Sequence, residues 1–280
     1  MKEKIMQIVF LISACVCILC VALICLFLFA GGVPAIAAIG PFKFLTGVVW
    51  RPGNDNFGIA PMILGSMYVT AGAIICGVPA GLLTAIFMAK FCGKNLRKLI
   101  SPAISLLAGI PSVIYGFFAL VVLVPFTRMI FGGSGKSLLT ASILLGIMIL
   151  PTIISVSEAA LRAVPEAYYE GALALGATHE QAVFFTVLPA AKSGIVAGVV
   201  LGIGRAVGET TAVVMVAGNQ AAIPESIFKG LRTLTANIVL EMGYAADLHR
   251  EALIATGVVL FVFVLVINLL LSLWKRKTMA

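Results

Sequence analysis

Two charged residues, Arg205 and Glu209, lie in a stretch of sequence that is otherwise almost entirely apolar. A guanidinium presents a planar fork of N–H donors that suits bidentate contacts with phosphate-like anions. A carboxylate beside such a site repels a fully deprotonated oxyanion, but it can accept the proton that inorganic phosphate still carries near neutral pH. The two residues are therefore predicted to line an anion path, with Arg205 attracting the anion and Glu209 rejecting its fully deprotonated forms.

Both charges are predicted to lie deep in one membrane-spanning helix. Arg205 is about 18 Å along a span that starts near Ser193, where an unpartnered arginine costs at least about 2.5–3.5 kcal/mol. Residues four apart differ by about 40° around a helix, so Arg205 and Glu209 should share one face. Mutual neutralisation within the helix is the alternative. It is disfavoured because such a pair stabilises less than two apolar residues would at this depth.

The composition of the chain is that of a membrane protein. Hydrophobic residues make up 61% of the 280 residues and charged residues only 11%, against about 25% charged residues in a typical soluble domain. Six apolar segments are long enough to cross the bilayer as helices, and they are 5–30, 60–89, 99–126, 138–161, 193–217 and 253–274. We therefore predict an all-α polytopic membrane protein with six transmembrane helices, in which residues 1–280 form one transmembrane domain.

The basic residues that flank these spans predict that both termini face the cytoplasm. Eleven Lys and Arg residues fall on that side, including Lys2 and the run 275–277, and seven fall on the other. The first span is longer than the core of a signal peptide, so we interpret it as uncleaved, with a cleaved signal as the alternative. The net charge of +8 reflects this sidedness and requires no nucleic-acid partner.

Prolines and glycines mark predicted bends and close helix contacts. Pro111 and Pro151 each remove a backbone donor within a span, which predicts kinks. Because such breaks often line cavities, the hydroxyls of Ser112 and Tyr115 are candidates for the pathway, with simple packing as an equal alternative. Close approach of another helix is expected at Gly194, Gly198, Gly202, Gly204 and Gly208.

The connection 162–192 is predicted to be a helix–glycine–helix elbow on the cytoplasmic face. Pro165 is suited to start a helix, Glu166 favours its first turn, and Gly176 can end it. A second helical stretch is predicted to begin near His179. An ordinary interfacial loop is the alternative.

The elbow resembles the cytoplasmic motif of ABC importer permeases, which reads Glu-Ala-Ala, three residues, Gly, nine residues, Ile, one residue and Leu-Pro. The residues that fit this spacing are Glu170, Gly171, Ala172, Gly176, Leu188 and Pro189. Gly171 replaces the middle alanine and Thr186 replaces the isoleucine. The literal EAA that starts at Glu158 lacks the glycine, and Glu158 is instead predicted to pair with Arg162. The resemblance implies that the elbow docks in a groove of an ATPase subunit and transmits motion to the pore.

Three further segments, 57–70, 105–120 and 204–219, resemble the phosphate-specific ABC importer permeases, and the PstC-type subunit more than its PstA partner. The similarity covers most of the chain from about Phe44 onward. It implies a type I importer permease in a prokaryotic cell membrane, with Arg205 and Glu209 serving phosphate passage together with an arginine of the partner permease. It also implies a PstA-like second permease, a PstB-like ATPase dimer that binds ATP and magnesium, and a PstS-like extracytoplasmic phosphate-binding protein.

No cofactor or metal site is expected on this chain. The segment GGSGKS has Ile130 where a P-loop requires glycine. The six cysteines lie in or at the edge of spans and are interpreted as small apolar fillers, without a structural disulfide. The outer loop 219–251 is expected either to dock a binding protein or to be an ordinary solvated loop.

Several alternatives stay open at this point. The substrate could be a related oxyanion such as sulfate or molybdate, and the second permease a homologue or a second copy. A stand-alone secondary transporter is disfavoured because an ATPase-docking elbow would serve no purpose in it. An intramembrane enzyme is disfavoured because His179 and His249, the only two histidines, fall in predicted loops on opposite sides and no GxSxG or HExxH motif occurs.

Overall fold

The computed structural model describes the backbone of residues 2–279. The side chains of residues 1–3, 5, 271–272 and 274–280 lie outside the described part of the chain. They include four of the basic residues on which the orientation prediction depends, Lys2, Lys275, Arg276 and Lys277, and the two ends of the predicted outer spans, Ile5 and Trp274.

Helices form almost the whole fold, as the apolar composition requires. In chain order they are α1 (Lys2–Ile39), α2 (Pro41–Thr46), α3 (Ala60–Ile86), α4 (Lys94–Gly109), α5 (Ser112–Phe118), α6 (Val124–Phe131), α7 (Leu138–Arg162), α8 (Glu166–Ala174), α9 (His179–Ala182), α10 (Leu188–Ala190), α11 (Lys192–Gly208), α12 (Thr211–Val216), α13 (Leu234–Glu241) and α14 (Asp247–Met279). The π-helical turns Phe87–Phe91, Ala119–Leu123 and Val183–Val187 extend α3, join α5 to α6 and join α9 to α10. An antiparallel hairpin, β1 (Trp50–Arg51) and β2 (Asn56–Phe57), precedes α3.

The centre of the bundle is α7, which packs on α3 along one side and on α11 along the other. Small residues allow this close packing. A Cβ at Gly194 would lie 2.4 Å from Ala160 of α7, and one at Gly202 would lie 2.9 Å from Ile153. The close approach predicted for this part of α11 is therefore confirmed, and α7 is the partner helix.

The interruption predicted at Pro111 is confirmed, but the predicted bounds 99–126 of this span are wrong. The chain breaks at Ile110 and Pro111, and the helix that is long and apolar enough to cross a membrane is Ser112–Phe131. Proline disfavours helical geometry at the residue before it, so Ile110 is extended and α4 ends at Gly109. The preceding helix α4 is amphipathic and carries basic residues at its start.

Among the described residues, five helical segments are long and apolar enough to cross a membrane. A sixth is added if the bent pair His179–Ala190 and Lys192–Gly208, which meet at 70°, counts as one span. The outer connection 219–251 is not a simple loop, because it contains α13 and the start of α14. All six cysteines are unpaired.

Candidate functional site

The segment that carries Arg205 and Glu209 is not one helix. α11 ends at Gly208, Glu209 is extended with φ −70° and ψ 131°, and α12 starts at Thr211. The prediction that the two charges share one helical face is therefore wrong. Local side chains favour the break, because the Thr210 hydroxyl donates to the Gly208 carbonyl at 3.3 Å.

Two hydrogen bonds hold Glu209, one at its side chain and one at its backbone carbonyl. Its carboxylate accepts a hydrogen bond from the Ala212 N–H at 3.2 Å, which satisfies a free donor in the first turn of α12. Its backbone carbonyl accepts one from the Thr235 hydroxyl at 3.1 Å. A cavity of about 10 Å³ lies beside the carboxylate, and the polar residues that line it with Glu209 are Ser66, Thr70 and Thr233. This is about the volume needed for one water molecule.

Arg205 lies in the last turn of α11, with a half-buried side chain. Within the described part of the chain it forms no hydrogen bond and no ion pair, so the alternative of mutual neutralisation with Glu209 is not what the structure has. The C-terminal end of a helix favours a positive charge at this place. The guanidinium donors are thus free for a ligand or for a partner chain.

The face of α11 next to Arg205 is open. A Cβ at Gly204 or at Gly208 would meet nothing within 4 Å, and both glycines are exposed. Close approach of another helix at these two glycines was predicted, and no helix makes it within the part of this chain that the structure describes.

Tyr115 lies near Arg205, but its hydroxyl is already engaged. The Tyr115 side chain is only 7% exposed, and its hydroxyl donates to the Leu107 carbonyl at 2.8 Å across the α4–α5 break. The positive charge of Arg205 is close enough to act on that hydroxyl. Ser112 lies in the first turn of α5, and in the described structure its half-buried side chain makes no hydrogen bond to Arg205, Glu209 or Tyr115. The geometry therefore brings Arg205 and Tyr115 together, while Glu209 follows Arg205 across the α11–α12 break.

The predicted elbow is present as a helix–glycine–helix unit. Pro165 caps α8, whose first residue is Glu166, and the chain reverses at Gly176 with φ +88°, a conformation that glycine adopts without strain. The Thr178 hydroxyl and the Gln181 side chain then form a capping box at the start of α9.

The motif residues occupy both arms of this elbow. Glu170, Gly171 and Ala172 are in α8, and Leu188 and Pro189 are in α10. Glu170, Gly171, Gly176 and Pro189 are exposed, while Ala172 and Leu188 are half-buried. A Cβ at Gly171 would meet nothing within 4 Å, so alanine would fit at this position.

Polar and aromatic contacts brace the elbow against the end of α3. The Tyr169 hydroxyl is 2.7 Å from His179 Nδ1, and the His179 ring packs edge-on against Phe91 at 4.6 Å. Lys90 Nζ lies 3.5 Å from Glu166 Oε2. Displacement of the elbow would therefore be transmitted to α3.

The ion pair predicted between Glu158 and Arg162 is confirmed, with a distance of 3.0 Å between Glu158 Oε1 and Arg162 Nε. Arg97 of α4 shares the same carboxylate oxygen at 2.8 Å. Arg162 also donates to the Met88 carbonyl at 2.8 Å, so this cluster ties α4 and the end of α3 to α7.

A second charged cluster surrounds Glu241 at the other end of the bundle. Its carboxylate accepts hydrogen bonds from Trp50 Nε1 at 2.8 Å and from Arg232, and His249 Nε2 lies 2.9 Å away. Burial by itself raises the pKa of Glu241, but the hydrogen bonds from Trp50, His249 and Arg232 and the charge of Arg232 outweigh it and lower the pKa. The cluster joins the β-hairpin, the segment before α13 and the first turn of α14.

The sequence reasoning missed Thr235, which contacts Glu209, and the cluster around Glu241. Arg232 and Thr235 stand together in the run RTLT, but polar residues in an outer connection are typical of solvated surface. Only the fold shows that Thr235 is 6% exposed and points toward the α11–α12 break.

Comparison with known proteins agrees with these features. Residues 77–279 match the family model described as the binding-protein-dependent transport system inner membrane component. The chain is 39% identical over 280 residues to the probable ABC transporter permease protein YqgH of Bacillus subtilis (strain 168), covering 95% of this chain and 90% of that protein. It is 38% identical over 261 residues to the phosphate transport system permease protein PstC of Mesorhizobium japonicum, covering 86% and 80%.

Solved structures show the same fold. A chain of the methionine ABC transporter MetNI in an inward-facing conformation superposes with a TM-score of 0.59 and 23% sequence identity. The superposition covers 79% of this chain and 94% of the MetNI chain.

Proposed function

Because the chain belongs to the family of inner membrane components of binding-protein-dependent transport systems, we propose that it is the PstC-type permease subunit of an ATP-driven importer of inorganic phosphate. The relative from Mesorhizobium japonicum is a phosphate transport permease of the PstC type, and this chain covers 80% of its length. In this proposal the chain forms half of the translocation pore, and ATP is hydrolysed by a separate subunit.

The observation that carries the proposal is the unpaired Arg205. A buried or half-buried arginine in a spanning segment is costly and is retained where it meets a substrate or a partner. Its planar donors suit two oxygens of a phosphate. The α11–α12 break next to it supplies the irregular backbone that membrane proteins tolerate where a cavity is lined.

Glu209 gives the site its selectivity for a protonated anion. Its carboxylate follows Arg205 on the chain but lies on extended backbone, so it does not cancel the guanidinium within one helix. Monohydrogen phosphate can donate its proton to this carboxylate, whereas sulfate at the same pH has none to donate. The site therefore favours phosphate over sulfate through one hydrogen bond that only phosphate can form.

The test is uptake of radiolabelled phosphate, with sulfate as competitor, by cells that carry the whole transport system. Glu209→Gln keeps the shape of the side chain but removes its charge, and Glu225→Gln, at an exposed position of the outer connection, is the matched control. We expect sulfate to compete in the Glu209→Gln variant and not in the control. Unchanged phosphate preference in Glu209→Gln would show that the carboxylate does not select the anion.

The second part of the proposal is that the elbow docks an ATPase subunit. Leu175 at the end of α8 is 91% exposed, and Phe185 in the second arm is 80% exposed. Leu175 lies outside every segment that could cross a membrane, and Phe185 lies in one only if the bent pair counts as a span. Exposed apolar side chains at the tip of a braced elbow fit a groove of a protein partner.

Leu175→Glu tests this docking in the purified complex. Copurification with the P-loop ATPase should fall in Leu175→Glu and stay near the wild-type level in Leu175→Met, because only the first variant places a charge in the apolar contact. Wild-type ATPase recovery from Leu175→Glu would mean that the elbow tip is not the docking surface.

A second permease and an extracytoplasmic phosphate-binding protein complete the proposed assembly. The open face at Gly204 and Gly208 accommodates a helix of the second permease, a PstA-like chain, next to Arg205. Its packing there would close the anion path on the side that this chain leaves open. The protein would work in the cell membrane of a prokaryote, with both termini in the cytoplasm.

A further inference from the structure

Helix α13 lies between the Glu209 break and the cluster around Glu241. Its first turn is fixed to α3, because the Leu234 N–H donates to the Ser66 hydroxyl at 3.0 Å. α3 approaches the chain so closely just before it that a Cβ at Gly65 would lie 2.4 Å from the Arg232 carbonyl oxygen. The start of α13 therefore has little freedom to move relative to α3.

Two buried hydroxyls connect this first turn to Glu209. Thr233 Oγ1 accepts from the Ala236 N–H at 3.2 Å and lies 3.0 Å from Thr235 Oγ1, which lies 3.1 Å from the Glu209 carbonyl oxygen. The Glu209 carbonyl can only accept, so the single hydroxyl proton of Thr235 is donated to it. Thr233 must then donate to Thr235. The hydrogen bonds therefore run in one direction, from Thr233 to Thr235 and from Thr235 to the Glu209 carbonyl.

The far end of α13 is anchored as well. Glu241 is its last residue, and the Arg232, Trp50 and His249 side chains hold its carboxylate. Hydrogen bonds therefore hold both ends of this eight-residue helix, which connects the cluster around Glu241 to the α11–α12 break.

We infer that Thr235 is a positioning residue for anion selection: its hydroxyl fixes the Glu209 peptide at the α11–α12 break, and this sets where the Glu209 carboxylate meets the anion. The inference rests on the proposed function of Glu209. In this role Thr235 acts through the Glu209 peptide rather than by contact with the anion. Removing its hydroxyl leaves the Glu209 carbonyl without this donor and Thr233 without its acceptor, so the peptide can rotate and the carboxylate shifts with it.

The experiment compares Thr235→Val, which keeps the shape but removes the hydroxyl, with Thr235→Ser, which keeps the hydroxyl. Thr256→Val is the matched control, because Thr256 is fully buried and its hydroxyl bonds only to the Ala252 carbonyl of its own helix. Each variant is measured in the whole transporter for phosphate uptake, apparent KM and inhibition by sulfate. We expect Thr235→Val to lose about three- to tenfold in phosphate-over-sulfate preference, the range of one hydrogen bond. Thr235→Ser and Thr256→Val should match the wild type.

A double-mutant cycle with Glu209→Gln separates positioning from general structure. If Thr235 acts through the Glu209 carboxylate, Thr235→Val has no further effect on the preference in the Glu209→Gln background. An equal loss in both backgrounds would overturn the positioning role and leave the proposed function intact. A Glu209→Gln single variant with wild-type preference would overturn the proposed role of Glu209, and the inference with it.

Assembly of each variant is checked by copurification of the transporter subunits. Should Thr235→Val fail to assemble, Thr235→Ala takes its place in the same cycle. Loss of preference in Thr235→Ser to the level of the variants without a hydroxyl would also contradict the inference, because the hydrogen-bond donor is still present there.

Discussion

Replacement of Glu241 by glutamine should destabilise the protein strongly, although Glu241 is far from the proposed anion path along the chain. Glu241 is 6% exposed and holds together the β-hairpin, the segment before α13 and the start of α14. A glutamine has nearly the same shape, so the substitution tests the charge and its hydrogen bonds rather than the packing. It leaves the partly buried Arg232, with a side chain 17% exposed, without a counterion.

The size of the expected loss in stability depends on the hydrogen bonds that Arg232 retains in Glu241→Gln. Removing one partner of a fully buried ion pair costs about 3–5 kcal/mol. Arg232 still donates to the Asn219 carbonyl and to Asn237 Oδ1, both at 3.0 Å, and it has some access to water. We therefore expect a loss of about 2–4 kcal/mol, after a discount of about 1 kcal/mol, the contribution of one hydrogen bond, for these contacts.

The assay is the thermal midpoint for loss of soluble protein from the purified complex in detergent. Glu225→Gln is the control, because it makes the same substitution at an exposed residue of the same outer connection. Glu241→Gln should lower the midpoint by several degrees, and the control should not. Equal midpoints for the two variants would refute the conclusion that the Glu241 cluster holds these segments together.

The remaining predictions concern pH and two pairs of glycines. The pKa of Glu241 is lowered in the folded state from its unfolded value of about 4.5, so its contribution to stability is present above that value. The contribution is lost as the pH falls through the lower folded pKa. The free energy of unfolding of Glu241→Gln should therefore depend less on pH below about 4.5 than that of the wild type. Gly202→Leu should destabilise the bundle by about 1–3 kcal/mol in the thermal assay through overpacking against α7, while Gly204→Leu, which faces open space in this chain, should fold but fail to assemble with the second permease. Gly176→Ala should cost about 1 kcal/mol because its φ is +88° and should lower ATPase copurification, whereas Gly171→Ala, within α8, should change neither; equal effects of the two members of either pair would contradict the packing described here.

The elbow was predictable because its signals are local. Pro165 at its start, Glu166 in its first turn and Gly176 at its reversal each act within a few residues. The pair of Glu158 and Arg162 was predictable for the same reason, since one helical turn separates the two residues.

The break at Glu209 was not predictable from apolar content. Hydropathy measures whether a segment tolerates lipid, and 204–217 tolerates it whether or not its helix is continuous. What decides the break is competition for backbone groups by Thr210, Glu209 and the distant Thr235. The last of these contacts joins residues that are 26 positions apart, so only the fold brings them together.

The contacts of the cluster around Glu241 were missed because they join residues that are far apart in the sequence. Trp50 and Glu241 are separated by 191 positions, and no local sequence pattern indicates that their side chains meet. The burial of Glu241 follows from the packing of the hairpin on α13 and α14, which no periodicity in the sequence shows.

The central claim is that Arg205 attracts phosphate in the membrane path, and one uptake measurement tests it directly. Radiolabelled phosphate uptake is compared between Arg205→Gln and the control Arg51→Gln, an exposed arginine of the hairpin, at matched membrane levels of the assembled complex. Loss of the charged hydrogen bonds of one guanidinium, about 1.5–3 kcal/mol, corresponds to a reduction of about 10- to 150-fold in Arg205→Gln and none in the control. Wild-type uptake by an assembled Arg205→Gln complex would contradict the claim and would leave Arg205 as a contact for the second permease.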